Sequence, residues 1–322
     1  MTTSLLPPEL QQKYRREKYQ LLGKYSAVKK CRWLHKSLLN QGSCYKQKFY
    51  GIESLRCLQL APSLAHCTMR CLFCWRLQPS DLDITINEIK MDDWDDPRLV
   101  VDEAISAQKR ILSGYKKHPL VDPIQYQEAL HPRHAAISLA GEPTLYPELS
   151  ELIRELHRRH FTTFLVTNGT VPGALQNLDE EPTQLYLSIC APDKNRFQRV
   201  CRPQICNAWD KLHESLELLS TFSCPTVIRM TLVRHANLVN AGQYADLIQK
   251  AEPTYIEPKG FVYVGASRQR LTYENMPTHK EIRHFGRQIS ASTGYNIINE
   301  SVSSRVLLLS KLKTARRIEA SS

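Results

Sequence analysis

Short apolar runs alternate with longer amphipathic segments along the chain from residue 58 onward. The runs are rich in β-branched residues, as buried strands are, and the segments between them carry apolar residues at helical spacing. The predicted strands cover 58–64, 135–140, 162–167, 184–189, 226–233 and 255–264. The predicted helices lie near 100–113, 147–160, 207–222, 240–251 and 277–293. Six successive βα units predict an α/β fold with a parallel sheet, a partial (βα)6 TIM-like barrel whose chemistry lies at the carboxyl ends of the strands.

The N-terminal part follows a different pattern, because its charged residues are mostly basic. Residues 9–30 are predicted to form one basic helix. We expect this helix to pack on the barrel through a stripe of apolar residues: Leu10, Tyr14, Leu21 and Tyr25. The segment 76–99 is rich in Asp and is predicted to be an insertion over the barrel mouth.

Positive charge is concentrated at the two ends of the chain. The formal net charge is +11, of which residues 1–57 contribute +9 and residues 301–322 contribute +4, so the remainder carries −2. We therefore divide the chain into a basic N-terminal extension (1–57), a barrel (58–295) and a basic C-terminal segment (296–322). Basic ends on a nearly neutral body favour a phosphate-rich partner such as RNA. A solvated, solubilising surface is the alternative.

Composition and the pattern of apolar runs indicate the kind of cellular compartment in which the chain works. Its 322 residues are 42% apolar, which is ordinary for a globular protein. No apolar run is long enough to cross a bilayer, and the first residues lack the order of a signal peptide. We expect a cytoplasmic protein with no membrane partner. Ten cysteines in a reducing compartment favour metal binding over disulfides.

Three of these cysteines lie close together in the C-x3-C-x2-C segment of Cys67, Cys71 and Cys74. An iron–sulfur cube has one ligand per iron, so three thiolates leave one iron open to a small molecule. The alternative is a structural zinc site with His66 as its fourth ligand. Zinc knuckles usually consist of two C-x2-C halves, which makes the compact trio more typical of a cluster.

The same segment, with Phe73 before the last cysteine, resembles the signature of radical S-adenosylmethionine enzymes. The resemblance implies a [4Fe–4S] cluster whose open iron chelates S-adenosylmethionine, and an aromatic contact from Phe73. In that superfamily an electron from the cluster cleaves the sulfonium and releases a 5′-deoxyadenosyl radical, which abstracts hydrogen.

Residues at the predicted strand ends fit this resemblance. Gly141-Glu142 resembles the superfamily's Gly-Gly-Glu element, so Glu142 is expected to accept a hydrogen bond from the cofactor's amino group. Asn168 is expected at the barrel mouth as a cofactor-binding residue that contacts the nucleoside, where a plain turn is the alternative. Ser188 is expected to bind the cofactor's ribose or carboxylate. Arg229 is expected either to pair with that carboxylate or simply to line the barrel.

A second trio, Cys31, Cys44 and Cys57, has twelve residues between successive members. It favours a second cluster with an open iron. As isolated buried thiols these cysteines would be unremarkable.

The sequence between these cysteines favours the second cluster. Residues 43–52, together with Arg56-Cys57 and residues 61–64, resemble the archaeal members of the tRNA 4-demethylwyosine synthase family, and the likeness covers roughly residues 29 to 300. The resemblance implies a carbon–carbon lyase of wyosine biosynthesis with two [4Fe–4S] clusters. It condenses N1-methylguanosine beside the anticodon of phenylalanine tRNA with two carbons of pyruvate. Eukaryotic members carry an added flavodoxin-like domain that this sequence lacks, which implies an external electron donor.

The pyruvate site is predicted beside the second trio. Lys46 matches a lysine proposed in the family to form a Schiff base with pyruvate, the reaction of a desolvated lysine with a keto acid. Pyruvate chelation by the open iron of the second cluster is the alternative. Contacts with RNA are predicted for Lys48, Arg268 and Arg270.

One position departs from the family pattern, because Cys190 stands where an Asp is expected. Together with Cys201, Cys206 and Cys224 it is interpreted as a structural thiol. Two other functions remain open: a different radical S-adenosylmethionine enzyme that modifies RNA or activates a glycyl radical, and a zinc-dependent RNA-binding module.

Overall fold

The computed structural model describes residues 4–85, 89 and 93–319. Within them the strands form one sheet in the order β1-β2-β3-β4-β5-β6-β7-β8-β10-β9. The strands are β1 (Gln20–Leu22), β2 (Ser26–Val28), β3 (Cys57–Ala61), β4 (His134–Ile137), β5 (Thr162–Thr167), β6 (Gln184–Ser188), β7 (Thr226–Leu232), β8 (Tyr255–Gly260), β9 (Asn296–Ser301) and β10 (Val306–Ser310).

Strands β3 to β8 are parallel and pair in sequence order. They are the six predicted strands, and the linear order leaves the barrel open, so the partial barrel is confirmed. Several strands end earlier than predicted; β3, for example, ends at Ala61, where Pro62 cannot donate to the ladder.

The helices between these strands include the five that were predicted and several short ones that were not. They are α1 (Pro8–Arg16), α2 (Arg32–Leu38), α3 (Tyr45–Tyr50), α4 (Pro97–Leu112), α5 (Pro123–Ala129), α6 (Leu149–Arg158), α7 (Pro172–Gln176), α8 (Lys194–Val200), α9 (Ala208–Leu218), α10 (Ala241–Ala251) and α11 (His279–Thr293). Among the described residues, no helix is both long enough and apolar enough to cross a membrane.

The single helix predicted over 9–30 is wrong. The helix α1 ends at Arg16, and the chain then forms the antiparallel hairpin β1–β2. Lys18 and Gly23 adopt positive φ angles of 67° and 46°, which a continuous helix does not allow. Pairing of β2 with β3 covers the edge of the parallel sheet. The free energy gained from this pairing outweighs the helical preference of the local sequence.

A second hairpin, β9–β10, covers the other edge by pairing with β8. The predicted boundaries at 57/58 and 295/296 therefore fall within one continuous sheet. Part of the predicted insertion 76–99, residues 86–88 and 90–92, lies outside the described residues. Its described start, from Arg76 to Pro79, lines the cavity that holds the candidate site.

Candidate active site

A cavity of about 1130 Å³ extends from the carboxyl ends of the parallel strands into the barrel. It is lined by Thr167, Ser188 and Gly260 at the ends of β5, β6 and β8, and it reaches Cys57 at the amino end of β3. Ten of its lining residues are Lys or Arg, and Glu142 is the one carboxylate among its described lining residues. This excess of positive charge suits an anionic ligand.

Both cysteine trios line this cavity. The first trio (Cys67, Cys71, Cys74) belongs to the loop that follows β3, which we call the cluster loop and define as residues 62–78. The second trio comes from three separate elements: Cys31 precedes α2, Cys44 precedes α3, and Cys57 begins β3. One strand therefore has a cysteine trio at each end.

Backbone pairing holds the cluster loop on one side. The amide of Arg70 donates to the carbonyl of Arg202 at 3.0 Å, and the amide of Leu72 donates to the carbonyl of Val200 at 2.9 Å. On the other side, the amide of Glu142 donates to the carbonyl of His66 at 2.7 Å. Backbone hydrogen bonds thus hold the loop on both sides.

Arg270 also holds the cluster loop. Its guanidinium donates to the carbonyl oxygens of Cys74, at 2.5 Å, and Leu72, at 3.3 Å, and it pairs with Asp81. These partners differ from the RNA phosphates predicted for Arg270, because the loop already engages the guanidinium. Sequence reasoning missed this role because the partners are far apart along the chain.

Asn168 braces the same loop from the end of β5. Its Nδ2 donates to Thr68 Oγ1 at 2.9 Å and lies 3.8 Å from Cys67 Sγ, while its Oδ1 accepts from Thr170. The amide therefore reaches the cysteine loop, at the mouth of the barrel where it was predicted.

The carboxylate of Glu142 is buried and oriented by internal donors. It accepts hydrogen bonds from Thr167 Oγ1 at 2.6 Å, Thr144 Oγ1 at 2.7 Å and the Asn168 amide at 2.8 Å. Burial raises its pKa, and the donated hydrogen bonds oppose that shift. The group lines the cavity near the first trio, so its predicted contact with the cofactor's amino group stays a prediction.

His66 does not join the first trio. Its ring is buried against Tyr25 and Trp94, with centroid separations of 5.0 and 5.3 Å, and its Nδ1 lies 3.0 Å from the Leu64 carbonyl. Within the described part of the chain, no three His, Cys, Asp or Glu side chains are close enough to hold one metal ion. A cluster with one thiolate per iron does not require that closeness.

The thiols of each trio interact electrostatically with one another. In the second trio, burial and the neighbouring thiols raise the pKa of Cys44 to about 11 and raise the pKa of Cys57 further. In the first trio, burial raises the pKa of Cys67, and that of Cys71 is raised by a hydrogen bond with Cys201 and by burial. Such buried thiols become thiolates readily only when they bind a cation, so both trios fit iron.

Lys46 lies beside the second trio, on α3, and is only 9% exposed. Its Nζ lies 3.9 Å from the centroid of the Tyr186 ring and 4.4 Å from that of Phe164. Burial lowers its pKa to about 8, and Glu257 opposes that shift. Among the described residues the ammonium has no hydrogen bond or ion pair, so it is available to a ligand in the cavity.

Arg229 lies near Lys46 and Tyr45. Its Cζ is 6.0 Å from the centroid of the Tyr186 ring and 5.8 Å from that of Tyr45, and its Nε is 4.0 Å from Glu257. Arg229 therefore lines the barrel near the second trio. Ser188 and Phe73 line the cavity as well.

Two functional groups on β8 escaped sequence reasoning. Glu257 is fully buried and accepts hydrogen bonds from the hydroxyls of Tyr45, at 2.9 Å, and Tyr50, at 2.7 Å. Lys259 lines the cavity, donates to the Ser304 carbonyl at 2.8 Å, and has a pKa lowered to about 7 by burial. Charged residues two apart in a strand share a face, and this spacing was the signal that they point into the barrel.

The two remaining predicted RNA contacts differ in position. Arg268 is exposed, and its Cζ lies 5.3 Å from the ring of Tyr263, which lines the cavity. Lys48 is exposed outside the cavity and donates to the Glu300 carbonyl at 2.6 Å. Arg268 therefore borders the entrance, whereas Lys48 lies on the outer surface.

The four cysteines outside the trios fall into two groups. Cys190 and Cys201 are buried and line the cavity, and Cys201 lies opposite Cys71 in the pairing of residues 70–72 with 200–202. Cys206 is exposed and Cys224 is half-buried. Apart from Glu142, the described residues that line the cavity include no carboxylate, so no other Asp or Glu of the lining replaces the Asp expected at position 190.

Comparison with known proteins places these features in a family. The radical SAM superfamily model matches residues 62–248, and the model for wyosine base formation matches residues 250–311. The S-adenosyl-L-methionine-dependent tRNA 4-demethylwyosine synthase of Pyrococcus abyssi is 46% identical over 308 residues, covering 94% of this chain and 89% of that protein. Its namesake from Methanocaldococcus jannaschii is 39% identical, covering 95% of this chain and 96% of that protein.

A solved structure of TYW1 with a lysine-pyruvate adduct bound is also similar. It aligns with a TM-score of 0.87 at 37% identity and covers 98% of both chains. Sequence and structure agree over nearly the whole length, and this chain belongs to the family of S-adenosylmethionine-dependent tRNA 4-demethylwyosine synthases within the radical SAM superfamily.

Proposed function

We propose that this chain converts N1-methylguanosine, beside the anticodon of phenylalanine tRNA, into 4-demethylwyosine by adding two carbons of pyruvate. One observation carries the proposal: two cysteine trios line a single cavity, with a buried lysine next to the second trio. A cavity with both trios can bring a radical source and a carbon donor to the same nucleobase.

The first trio would hold a [4Fe–4S] cluster with one open iron for S-adenosylmethionine, and this group supplies the reductive cleavage that yields the 5′-deoxyadenosyl radical. The residues of this chain orient the cofactor. Glu142 and Ser188 offer polar groups to it, and Phe73 and Gly141 lie in the same wall of the cavity. Asn168 and Arg270 keep the cluster loop in place.

The second trio would hold another [4Fe–4S] cluster, and Lys46 would bind pyruvate beside it. A lysine amine condenses with a ketone to give an imine and water. Lys46 has the required environment, since it is buried, lines the cavity and has no hydrogen bond or ion pair among the described residues. The similar TYW1 structure carries a lysine-pyruvate adduct, which supports the assignment.

The bonds that form in the reaction determine which groups the cavity must bring together. The N1-methyl carbon of guanosine, after loss of a hydrogen atom, joins C2 of pyruvate. The bond between C1 and C2 of pyruvate then breaks, and the carboxyl group would leave as CO2 with its unpaired electron passed to an oxidised iron–sulfur cluster. The exocyclic amine of guanine displaces the amine of Lys46 and closes the third ring. The base must leave its stack to reach a site inside a barrel.

Basic and aromatic side chains of the kind that bind single-stranded RNA line the cavity. Arg32 is exposed and adjoins Trp33 in sequence, and they would supply a phosphate contact and a stacking surface. Lys29 and Lys30 also line the cavity, but they already contact Glu17 and Tyr115. Arg268 extends this basic region, and Lys48 would contact phosphate farther out. An external donor would reduce the clusters.

Iron and sulfide analysis of anaerobically reconstituted protein tests the two-cluster assignment. We expect about eight irons per chain for two [4Fe–4S] clusters. In the reduced protein, one electron paramagnetic resonance signal should change with S-adenosylmethionine and a different one with pyruvate. Replacement of Cys31, Cys44 and Cys57 by Ala should halve the iron, keep S-adenosylmethionine cleavage and abolish the tricyclic base.

The exposed Cys206→Ala variant is the matched control, and it should retain full iron and product. Unchanged product in the triple variant would contradict a role for the second trio. About four irons in the unmodified protein, with no response to pyruvate, would assign the chain one cluster and a different carbon donor.

A further inference from the structure

Three basic residues that line the cavity, Lys46, Arg229 and Lys259, are linked by contacts with two tyrosine rings, those of Tyr186 and Tyr45. Lys46 and Arg229 lie against the Tyr186 ring, at 3.9 and 6.0 Å from its centroid. Arg229 and Lys259 lie against the Tyr45 ring, at 5.8 and 5.1 Å. The two rings thus link Arg229 to both lysines.

The guanidinium of Arg229 is poorly satisfied by the protein. Its nearest carboxylate, Glu257, is at the limit of an ion pair, at 4.0 Å, and already accepts hydrogen bonds from the hydroxyls of Tyr45 and Tyr50. Among the described residues, the side chain of Arg229 donates no hydrogen bond. A guanidinium has five donors in a planar fork, and this side chain is only 22% exposed, so its donors are available to a ligand in the cavity.

Glu257, the carboxylate nearest to this wall of the cavity, is fully buried behind Tyr45. Thiolates of the second trio would balance charge at Lys46 and Lys259, which both interact electrostatically with Cys44. The guanidinium of Arg229 still lacks a hydrogen-bond acceptor, so a negative group is favoured in the cavity next to it. The ligand that binds at Lys46 carries such a group, since the carboxylate of a 2-keto acid is bonded directly to its keto carbon.

We propose that Arg229 binds the carboxylate of the keto acid held at Lys46, with Lys259 adding positive charge on the far side. The bidentate fork selects a 2-keto acid over a neutral ketone or aldehyde and orients the keto carbon toward the Lys46 amine. This inference rests on the proposed reaction of Lys46. It assigns the carboxylate to Arg229 and leaves the second cluster to act on the rest of the molecule.

The test is borohydride trapping of the Lys46 adduct, measured by intact-protein mass spectrometry on the reconstituted full chain. Pyruvate is compared with methyl pyruvate, which has the same ketone but no negative charge. In Arg229→Ala the pyruvate concentration for half-maximal trapping should rise by about 10- to 100-fold, the loss expected for a charge-assisted hydrogen-bonded pair. The value for methyl pyruvate should change by less than about twofold.

Arg229→Lys keeps the charge and nearly the volume but loses the bidentate guanidinium. Its pyruvate concentration for half-maximal trapping should therefore lie between those of the unmodified protein and Arg229→Ala. Lys259→Met should raise the pyruvate concentration for half-maximal trapping less than Arg229→Ala does. The exposed Arg199→Ala variant on α8 is the control and should leave both values unchanged.

Equal changes for pyruvate and methyl pyruvate would show that Arg229 only shapes the lysine site, which overturns the proposal. No change for either compound would place the carboxylate elsewhere, for example on iron, and would overturn it too. Absence of any adduct in the unmodified protein would refute the role of Lys46 and, with it, this inference. Trapping that is normal but insensitive to Arg229 refutes the inference alone.

Discussion

Gly141 shows how much can depend on one residue in this molecule. Its φ is +75°, in the left-handed region, and a Cβ there would clash with the backbone carbonyl oxygen of Ser63. Beside it, Glu142 exchanges hydrogen bonds with the cluster loop, since its amide donates to His66 and its carbonyl accepts from Ser63 Oγ. The close approach of two backbones at this point requires glycine.

Replacement of Gly141 by Ala should therefore move the cluster loop. We expect a loss of about 2 kcal/mol or more in the free energy of unfolding, because both the backbone angle and the contact are unfavourable. Thermal unfolding and the iron content after reconstitution measure the two effects. Gly173→Ala is the matched control, because that glycine lies in the helix α7 with no atom within 4 Å of its Cβ position, and it should not lower stability. A normal iron content in Gly141→Ala would contradict the close-approach argument.

Site residues that belong to a recognisable chemical motif could be predicted from the sequence. Site residues whose role depends on distant partners could not. The two cysteine trios, Lys46 and Glu142 were recognised, and the structure brings them to one cavity. The roles of Arg270 and Glu257 were not, because their partners lie in elements distant along the chain. Partners of that kind follow from tertiary packing, which a local pattern does not contain.

At the scale of elements, periodic apolar patterns predicted the six parallel strands and the five long helices. The same reasoning failed over residues 9–30, where α1 and the hairpin β1–β2 share one apparently helical stripe. Leu10, Tyr14 and Tyr25 are buried as predicted, but they reach the core from a helix and from a turn. Short edge strands form because they pair with the edge of a sheet, so their own sequence predicts them poorly.

The helix α11 gives a prediction on pH. Glu281 caps its first turn with Thr278 and pairs with Arg234, and the hydrogen bond from Arg234 is the main cause that lowers its pKa to about 2. A carboxyl whose pKa is lower in the folded state stabilises the fold above the unfolded pKa, about 4.5, and loses that contribution as the pH falls toward 2. Stability that depends on this group should therefore fall between these two pH values.

The measurement is the unfolding temperature of cluster-free protein and of its Glu281→Gln variant across this pH range. The unmodified protein should be more stable at pH 6, and the difference should shrink as the pH falls below about 4.5. The exposed Glu128→Gln variant on α5 should show no such convergence. If the difference in unfolding temperature between the two proteins stays constant with pH, Glu281 stabilises the fold through packing and not through its charge.

At the scale of the whole molecule, a cluster at the second trio would tie together three separate elements of the chain. Cys31, Cys44 and Cys57 belong to three elements, and the connection around Gln41 and Gly42 is exposed. A cluster bound to the folded state alone stabilises it by mass action. Iron removal should therefore loosen residues 29–57 more than the rest.

Limited trypsin digestion of the reconstituted and the chelator-treated protein checks this expectation. Cleavage within residues 29–57 should be faster after chelation, whereas the helix α6 should be cut at a similar rate in both forms, because it carries no cysteine. In the triple Ala variant the two digestion patterns should coincide over residues 29–57. Equal cleavage of the unmodified protein with and without iron would contradict a stabilising cluster at these cysteines.

The strand β3 also connects the two trios along the chain, because Cys57 begins it and the cluster loop follows its last residue. The strand has five residues, and four steps of about 3.3 Å separate its ends by about 13 Å. A β-strand is already close to fully extended, so this segment of backbone fixes how far Cys57 lies from the start of the cluster loop and cannot lengthen when a ligand binds.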